Sequence, residues 1–331
     1  MSRRLALIVC LLLAAPLAGA VTLKVATIAP DGTAWMAEMR AGADQVARRT
    51  QGRVKFRFYP GGVMGSDKSM LRKLRIRQLQ GAALSAGGLS EIHRNAAVYG
   101  LPFLFRSTAE VDDIRTRLDT VVEESLRENG YVSFGLIEGG FAYLMSDRPL
   151  RTVEDLRAQR VWVPEGDAIT RASFEAVGVS PISLPLTDVL TGLQTGLVDT
   201  VASSPTGAIA LQWHTRLRYL TDVPLAYLYG ALVIDRKTLE RLSVADRQVM
   251  EDVMRSVSER LNRQSRQDNE QARKALRREG IEFVVPTPAG LARWEGMVNT
   301  AIDWLGQEGV YDPALLARAR RLIDEYRARR R

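Results

Sequence analysis

Residues 21–28 alternate apolar and polar positions and are rich in β-branched side chains, which predicts a strand. Pro30, Asp31 and Gly32 then supply a turn. From 35 to 50 the period changes. Met36, Met39, Ala43, Val46 and Ala47 recur at three and four positions, the spacing of one helix face. Gly52 closes that helix and 54–59 alternates again. A strand, a helix and a strand of these lengths predict a βαβ unit with parallel strands.

The pattern continues along the chain. A basic helix is expected over 67–80 and a short apolar strand over 82–88, ending in Gly87 and Gly88. Residues 98–105 are apolar and broken by proline. Ser107 and Glu110 have capping-box spacing and open a helix to about 129; a strand over 131–137 follows. Glu138, Gly139 and Gly140 suit a hinge or crossover. Further strands are expected over 160–163, 182–184, 198–202, 225–234 and 281–285. Asp167 can cap a helix to 177, and Thr187 a helix with Val189, Leu190, Leu193 and Leu197 on one face. Residues 209–219 read as a helix. Ser243 and Asp246 open the longest helix, to about 280. Its middle, 262–271, is almost wholly polar and is expected at the surface. Two helices, from Thr287 to about 306 and over 313–331, end the chain, and no internal repeat is visible.

The leading residues fall outside this pattern. Arg3 and Arg4 precede an apolar run over 5–13, and Ala18, Gly19 and Ala20 fit a small-x-small cleavage site. The run is shorter than the ~20 residues of a spanning helix. It predicts an export signal over 1–20, a mature chain beginning at Val21 and a periplasmic location. Cys10 is the one cysteine, so the mature chain has no disulfide and no thiolate chemistry. The formal net charge is +8, and Arg is spread along the chain with a cluster near the end. An exported protein without interleaved basic and aromatic residues does not read as a nucleic-acid binder.

Most catalytic chemistry is missing. The loop from Pro60 to Gly65 is glycine-rich but matches neither phosphate-binding spacing. His93 and His214 are far apart, with no H-E-x-x-H and no G-x-S-x-G. No metal or cofactor is expected. Glu165 and Asp167 flank a strand end, where a helix N-terminus favours negative charge.

Five stretches carry a resemblance: L-K-V-A-T at 23–27, P-G-G-V-M-G-S-D at 60–67, Y-G-L-P-F-L-F at 99–105, R-P-L-R-T-V-E-D-L-R-A-Q-R-V-W-V-P at 148–164 and G-V-S-P-I-S-L-P-L-T-D-V-L-T-G-L-Q-T-G-L-V-D at 178–199. In this order and spacing the chain resembles the substrate-binding (P) subunits of TRAP transporters, the tripartite ATP-independent periplasmic class. The resemblance implies an α/β fold of two lobes with a hinge, and a long helix spanning both. Lobe I is expected over 21–139 plus 229–268 and lobe II over 140–228 plus 269–331. It implies a small-molecule ligand between the lobes, delivery to membrane transporter subunits, and no enzymatic activity. An exported enzyme, or a sensor on the same fold, is the competing class.

The departures from the family pattern concern the ligand. The family's strand after the D-L-x-G turn typically ends in an Arg that pairs with the substrate carboxylate; here that position is Trp162. A second frequent Arg position is Ala142, and the end of the first strand, polar in some members, is Ile28. A buried carboxylate without a cationic partner is costly, so a neutral, apolar or amphipathic ligand is expected. Two alternatives stand beside it. One is an organic acid held by another cation while Trp162 fills a core. The other is a cationic ligand on Trp162 near Glu165 or Asp167. Family spacing also brings Leu186, Ser203 or Ser204, Tyr227 and Tyr229 towards the ligand, while Trp35 and Trp213 are expected in the core. The subset of the family lacking the Arg includes members with helical-repeat partner proteins, and this chain resembles that subset.

Overall fold

The computed structural model describes residues 20–330; the expected signal, Ala20 apart, lies outside the described residues. The opening βαβ unit forms as its periodicity requires. β1 (Val21–Thr27) runs parallel to β2 (Val54–Tyr59) and to β3 (Gly81–Ser85). The helix between β1 and β2, Ala34–Arg49, is capped by Thr33 and buries Met36, Met39, Ala43 and Val46. β3 is shorter than expected. The Ser85 hydroxyl accepts from the Gly88 amide, and the chain turns there into the short helix Ala86–Ser90.

After helix Thr108–Glu128 come β4 (Tyr131–Ser133) and β5 (Ile137–Ser146). β5 carries the two glycines inside a ten-residue strand and not in a loop. Then follow β6 (Trp162–Pro164), β7 (Ile182–Leu184), β8 (Thr200–Ser203), β9 (Tyr219–Thr221), β10 (Ala226–Asp235) and β11 (Glu282–Val284). The large sheet has the order β11-β9-β5-β10-β3-β1-β2, with β4 on β10 and β8 on β5; β6 and β7 form a separate parallel pair. β5 and β10 join its two halves. The first part of β5 pairs with β10 and its last four residues pair with β8, while β10 continues onto β3. This is the mixed α/β, two-lobed arrangement expected.

Three helical expectations are corrected. Residues 209–219 do not form one helix. Pro205–Ala210 ends early, Gln212 takes φ 59°, and a 3-10 turn at Trp213–Arg216 leads into β9. The turn lets Trp213 enter the core, where it is 2% exposed. Thr187 caps nothing: a 3-10 turn, Leu186–Asp188, precedes helix Val189–Thr195. Gly196, with φ 72°, stops that helix and leaves Leu197 in solvent.

The long helix Val244–Arg278 is 35 residues, capped at Ser243. Its polar middle is not simply a solvated face. Asn262, Arg266 and Asn269 lie on the side that meets β5 and hydrogen-bond there. The last helix, Pro313–Ala328, packs against Thr108–Glu128, with Arg327 forked on Glu110.

Candidate functional site

Trp162 reaches its place through a short sequence of local signals. Thr152 and Asp155 close a capping box on helix Val153–Arg157, and the chain straightens after it into β6. Arg160, two residues before Trp162, pairs with Asp199 at 2.9 Å, and Val161 bridges to Thr200. The cation nearest in sequence is thereby committed to aligning β6 with β8. The Trp162 indole is 4% exposed. Its Nε1 donates to the Leu184 carbonyl at 3.0 Å, and its ring meets Trp213 edge-on, centroids 5.1 Å apart. A buried indole with its N–H satisfied contributes apolar area and no free donor.

Trp162 therefore belongs to a core and also forms a wall. With Ala142, Ala202, Ala226, Pro102, Leu225, Leu228 and Trp294 it lines a cavity of about 90 Å³. Three alanines leave the hollow. Ala142 and Ala226 face each other across β5 and β10, and Ala202 contributes from β8. Trp294, on helix Pro288–Gln307, is held edge-on by Phe103 at 5.5 Å. The polar residues of the lining are Asp167, which caps helix Ala168–Ala176, and Thr170 and Ser173 within it; no Arg, Lys or His lines it. A wider chamber of about 430 Å³ adjoins it through Asp167 and Thr170.

Of the expected ligand contacts, the structure brings Trp162 and Ala142 together in this cavity and leaves the others outside. Tyr227 and Tyr229 lie on the opposite face of β10 from Ala226 and Leu228, because side chains alternate along a strand. The Tyr227 hydroxyl accepts from Arg115 at 3.1 Å, and the Tyr229 hydroxyl donates to the Ala96 carbonyl. Burial pushes the pKa of both phenols up, so they are neutral structural groups. Ser203 and Ser204 are likewise spent. The Ser203 hydroxyl donates to the Ser204 carbonyl, and Ser204 caps helix Pro205–Ala210. The residue that faces the cavity is their neighbour Ala202. Ile28 packs partly against the largest core and Leu186 against the core of Trp162; neither lines the cavity. Thr187, next to Leu186, meets the glycine loop: a Cβ on Gly62 would lie 3.5 Å from the Thr187 side chain.

Trp294, Leu225 and Phe174 were not singled out by the sequence reading. Leu225 sits in an apolar run leading into β10, Phe174 and Trp294 stand between polar neighbours on helices, and only long-range packing brings the three to the cavity. Asp167 was visible as a helix cap, and it performs that role while lining both chambers. Of the histidines, His93 accepts from the Asn95 amide and His214 meets the Ala208 carbonyl. Among the described residues no group of three or more His, Cys, Asp or Glu is placed to hold a metal.

This two-lobed arrangement, with a cavity at the junction of β5, β8 and β10, is that of a solute-binding protein. The family model for bacterial extracellular solute-binding protein, family 7, matches residues 25–307, and the chain belongs to that family. Its members are transport proteins that bind small molecules for membrane subunits of TRAP transporters. The chain is 24% identical over 216 residues to the uncharacterized protein YiiZ of Salmonella typhimurium, covering 64% of this chain and 65% of that protein. It is 22% identical to the C4-dicarboxylate-binding periplasmic protein DctP of Rhodobacter capsulatus, over 78% of each chain. The crystal structure of the sugar acid binding protein DctPAm of Advenella mimigardefordensis, in complex with galactonate, shares the fold. Its TM-score is 0.84 at 17% identity, over 93% of this chain and 99% of that one.

Proposed function

We propose that this chain is the exported binding component of a TRAP-type transporter whose cargo is a small apolar or amphipathic molecule without a carboxylate anchor. The observation that carries this reading is the lining itself. Trp162 and Ala142, at the two expected anchor positions, share an apolar cavity in which no cationic side chain stands. A carboxylate desolvated there would lack a partner, at a cost of several kcal/mol in order of magnitude. An apolar group gains about 25 cal/mol for each Å² it removes from water. In this reading residues 1–20 are a cleaved signal, the mature chain is periplasmic, and no reaction is catalysed. Lobe I is 21–139 plus 229–268 and lobe II is 140–228 plus 269–331, and ligand contacts to both favour the closed state.

A second reading has a specific support: DctP and DctPAm are named for acids. Under it, this chain also takes an organic acid, with a cation from elsewhere. Native mass spectrometry of the purified protein, followed by extraction of what it carries, separates the two. Recovery of a compound with an apolar body and no carboxylate is expected; recovery of a dicarboxylate or sugar acid overturns the apolar reading. Ala202→Leu, which fills the cavity from β8, is expected to weaken uptake of the extracted compound at least tenfold, or about 1.4 kcal/mol. Undiminished binding places the ligand elsewhere.

A further inference from the structure

The hydrogen-bonding inventory of the two adjoining chambers goes further than the apolar walls. Asp167 and Thr170 line both the 90 Å³ cavity and the 430 Å³ chamber. The ionisable residues lining the pair are Asp167 and Glu91, both carboxylates. The side-chain donors around them are already committed to protein acceptors. The Thr170 hydroxyl donates to Asp167 at 2.6 Å, the Ser173 hydroxyl to the Ile169 carbonyl at 2.7 Å, and the Ser90 hydroxyl to the Gly87 carbonyl at 2.7 Å. The Trp162 N–H is taken by Leu184. Asp167 itself accepts from the Thr170 amide and hydroxyl, one bond on each oxygen. An ionised carboxylate has about four lone-pair sites, so further acceptor capacity is left. The start of helix Ala168–Ala176 already holds this negative charge as its cap. A second carboxylate brought there would meet the first.

We infer that the ligand is a short aliphatic molecule ending in a protonated amine, with its alkyl body in the cavity walled by Trp162 and its ammonium at Asp167. The inference rests on the apolar reading of the cavity and adds the charge of the ligand's polar end. The ammonium brings three donors to a place whose side-chain donors are already taken and whose carboxylate still has acceptor capacity. The cavity sets the body. At about 90 Å³ it is smaller than the roughly 150 Å³ dry cavity that admits benzene, so a branched alkyl group of about four or five carbons fits better than an aromatic ring. The wider chamber on the far side of Asp167 leaves room for water around the charged end.

Isothermal titration of ligand-stripped protein with 3-methylbutylamine, 3-methylbutanol and 3-methylbutanoate tests this directly, since the three share one body and differ in the end group. The amine is expected to bind at least tenfold more tightly than the alcohol, and the carboxylate to give no measurable heat. Asp167→Asn retains a good helix cap and is expected to bring the amine down to the level of the alcohol. Equal binding of amine and alcohol to the unaltered protein overturns the charge inference while leaving the apolar cavity standing. Binding of the carboxylate in preference to both overturns the charge inference and the apolar reading together. Silence from all three overturns the alkylamine inference, and the extracted compound then decides the wider reading by itself.

Discussion

Trp162 carries two loads that a substitution can separate. Its ring packs against Trp213 in a buried cluster with Met145, Val189 and Leu193, and another part of its surface lines the cavity of about 90 Å³. Trp162→Ala is expected to cost about 3–5 kcal/mol of stability, as large-to-small changes at buried tryptophans do. Trp162→Phe retains an aromatic contact but leaves the Leu184 carbonyl without its donor, a cost of about 1–3 kcal/mol. Urea unfolding followed by circular dichroism measures both; an alanine variant within 1 kcal/mol of the parent would remove the indole from the core. The neighbouring residues show how narrowly the site escapes a reading of sequence. Family spacing pointed to Tyr227, Tyr229 and Ser203, and the cavity takes Ala226, Leu228 and Ala202. In a strand a shift of one residue exchanges the faces. The strands themselves were legible from their alternation. Which face met the cavity depended on register against β5, and register is a long-range property.

The long helix and β5 meet through a row of polar side chains spaced for one helix face. The Asn262 amide group donates to the Leu136 carbonyl at 3.0 Å, and its Oδ1 accepts from the Glu138 amide at 2.6 Å. Arg266 bridges Glu138 and Asp112. The Asn269 amide group donates to the Gly139 carbonyl at 3.2 Å, and its Oδ1 accepts from the Thr206 amide at 3.3 Å. Polarity over 262–271 was readable, but polarity alone does not say whether water or backbone is the partner. Gly140 is where this clamp constrains the strand most. Its φ is +87°, and a Cβ would lie 2.5 Å from Asn269 Nδ2. Gly140→Ala is therefore expected to destabilise by about 1–2 kcal/mol from the left-handed backbone alone, with the collision added. Asn269→Ala removes the collision and keeps the backbone penalty, so Gly140→Ala should cost less in that background. A double-mutant cycle on chemical unfolding measures the difference; equal costs in both backgrounds would exclude the contact with Asn269 as a cause.

Across the whole molecule, the last helix ties distant parts of the chain together. The α/β class and the parallel opening unit were readable because each element declares its own period; the seat of Pro313–Ala328 declares itself nowhere locally. It follows the helix that supplies Trp294 and Val298 to the cavity, yet it packs against Thr108–Glu128. Arg327 makes a forked pair with Glu110 at 2.8 and 3.0 Å, and the Arg106 amide donates to the same carboxylate at 2.8 Å. Burial alone would raise the Glu110 pKa, but the Arg327 fork and the Arg106 amide together outweigh it and leave it below the ordinary glutamate value. The sign of the pH dependence follows. A carboxylate whose pKa is lowered by folding contributes stability that is fully present above its unfolded pKa and is lost as pH falls through the folded one. Unfolding free energy should thus decline from the ordinary glutamate range downwards, partly on account of this one group. Arg327→Ala is expected to cost about 2 kcal/mol at neutral pH, in the range of a hydrogen-bonded charge. The same variant should flatten the acid-side decline, because Glu110 then loses the partner that depresses its pKa. Thermal unfolding of the two proteins between pH 7 and the acid limit of solubility gives both quantities. Parallel pH curves with a constant offset would mean that Arg327 acts by packing alone, and that the terminal helix is held without its charge.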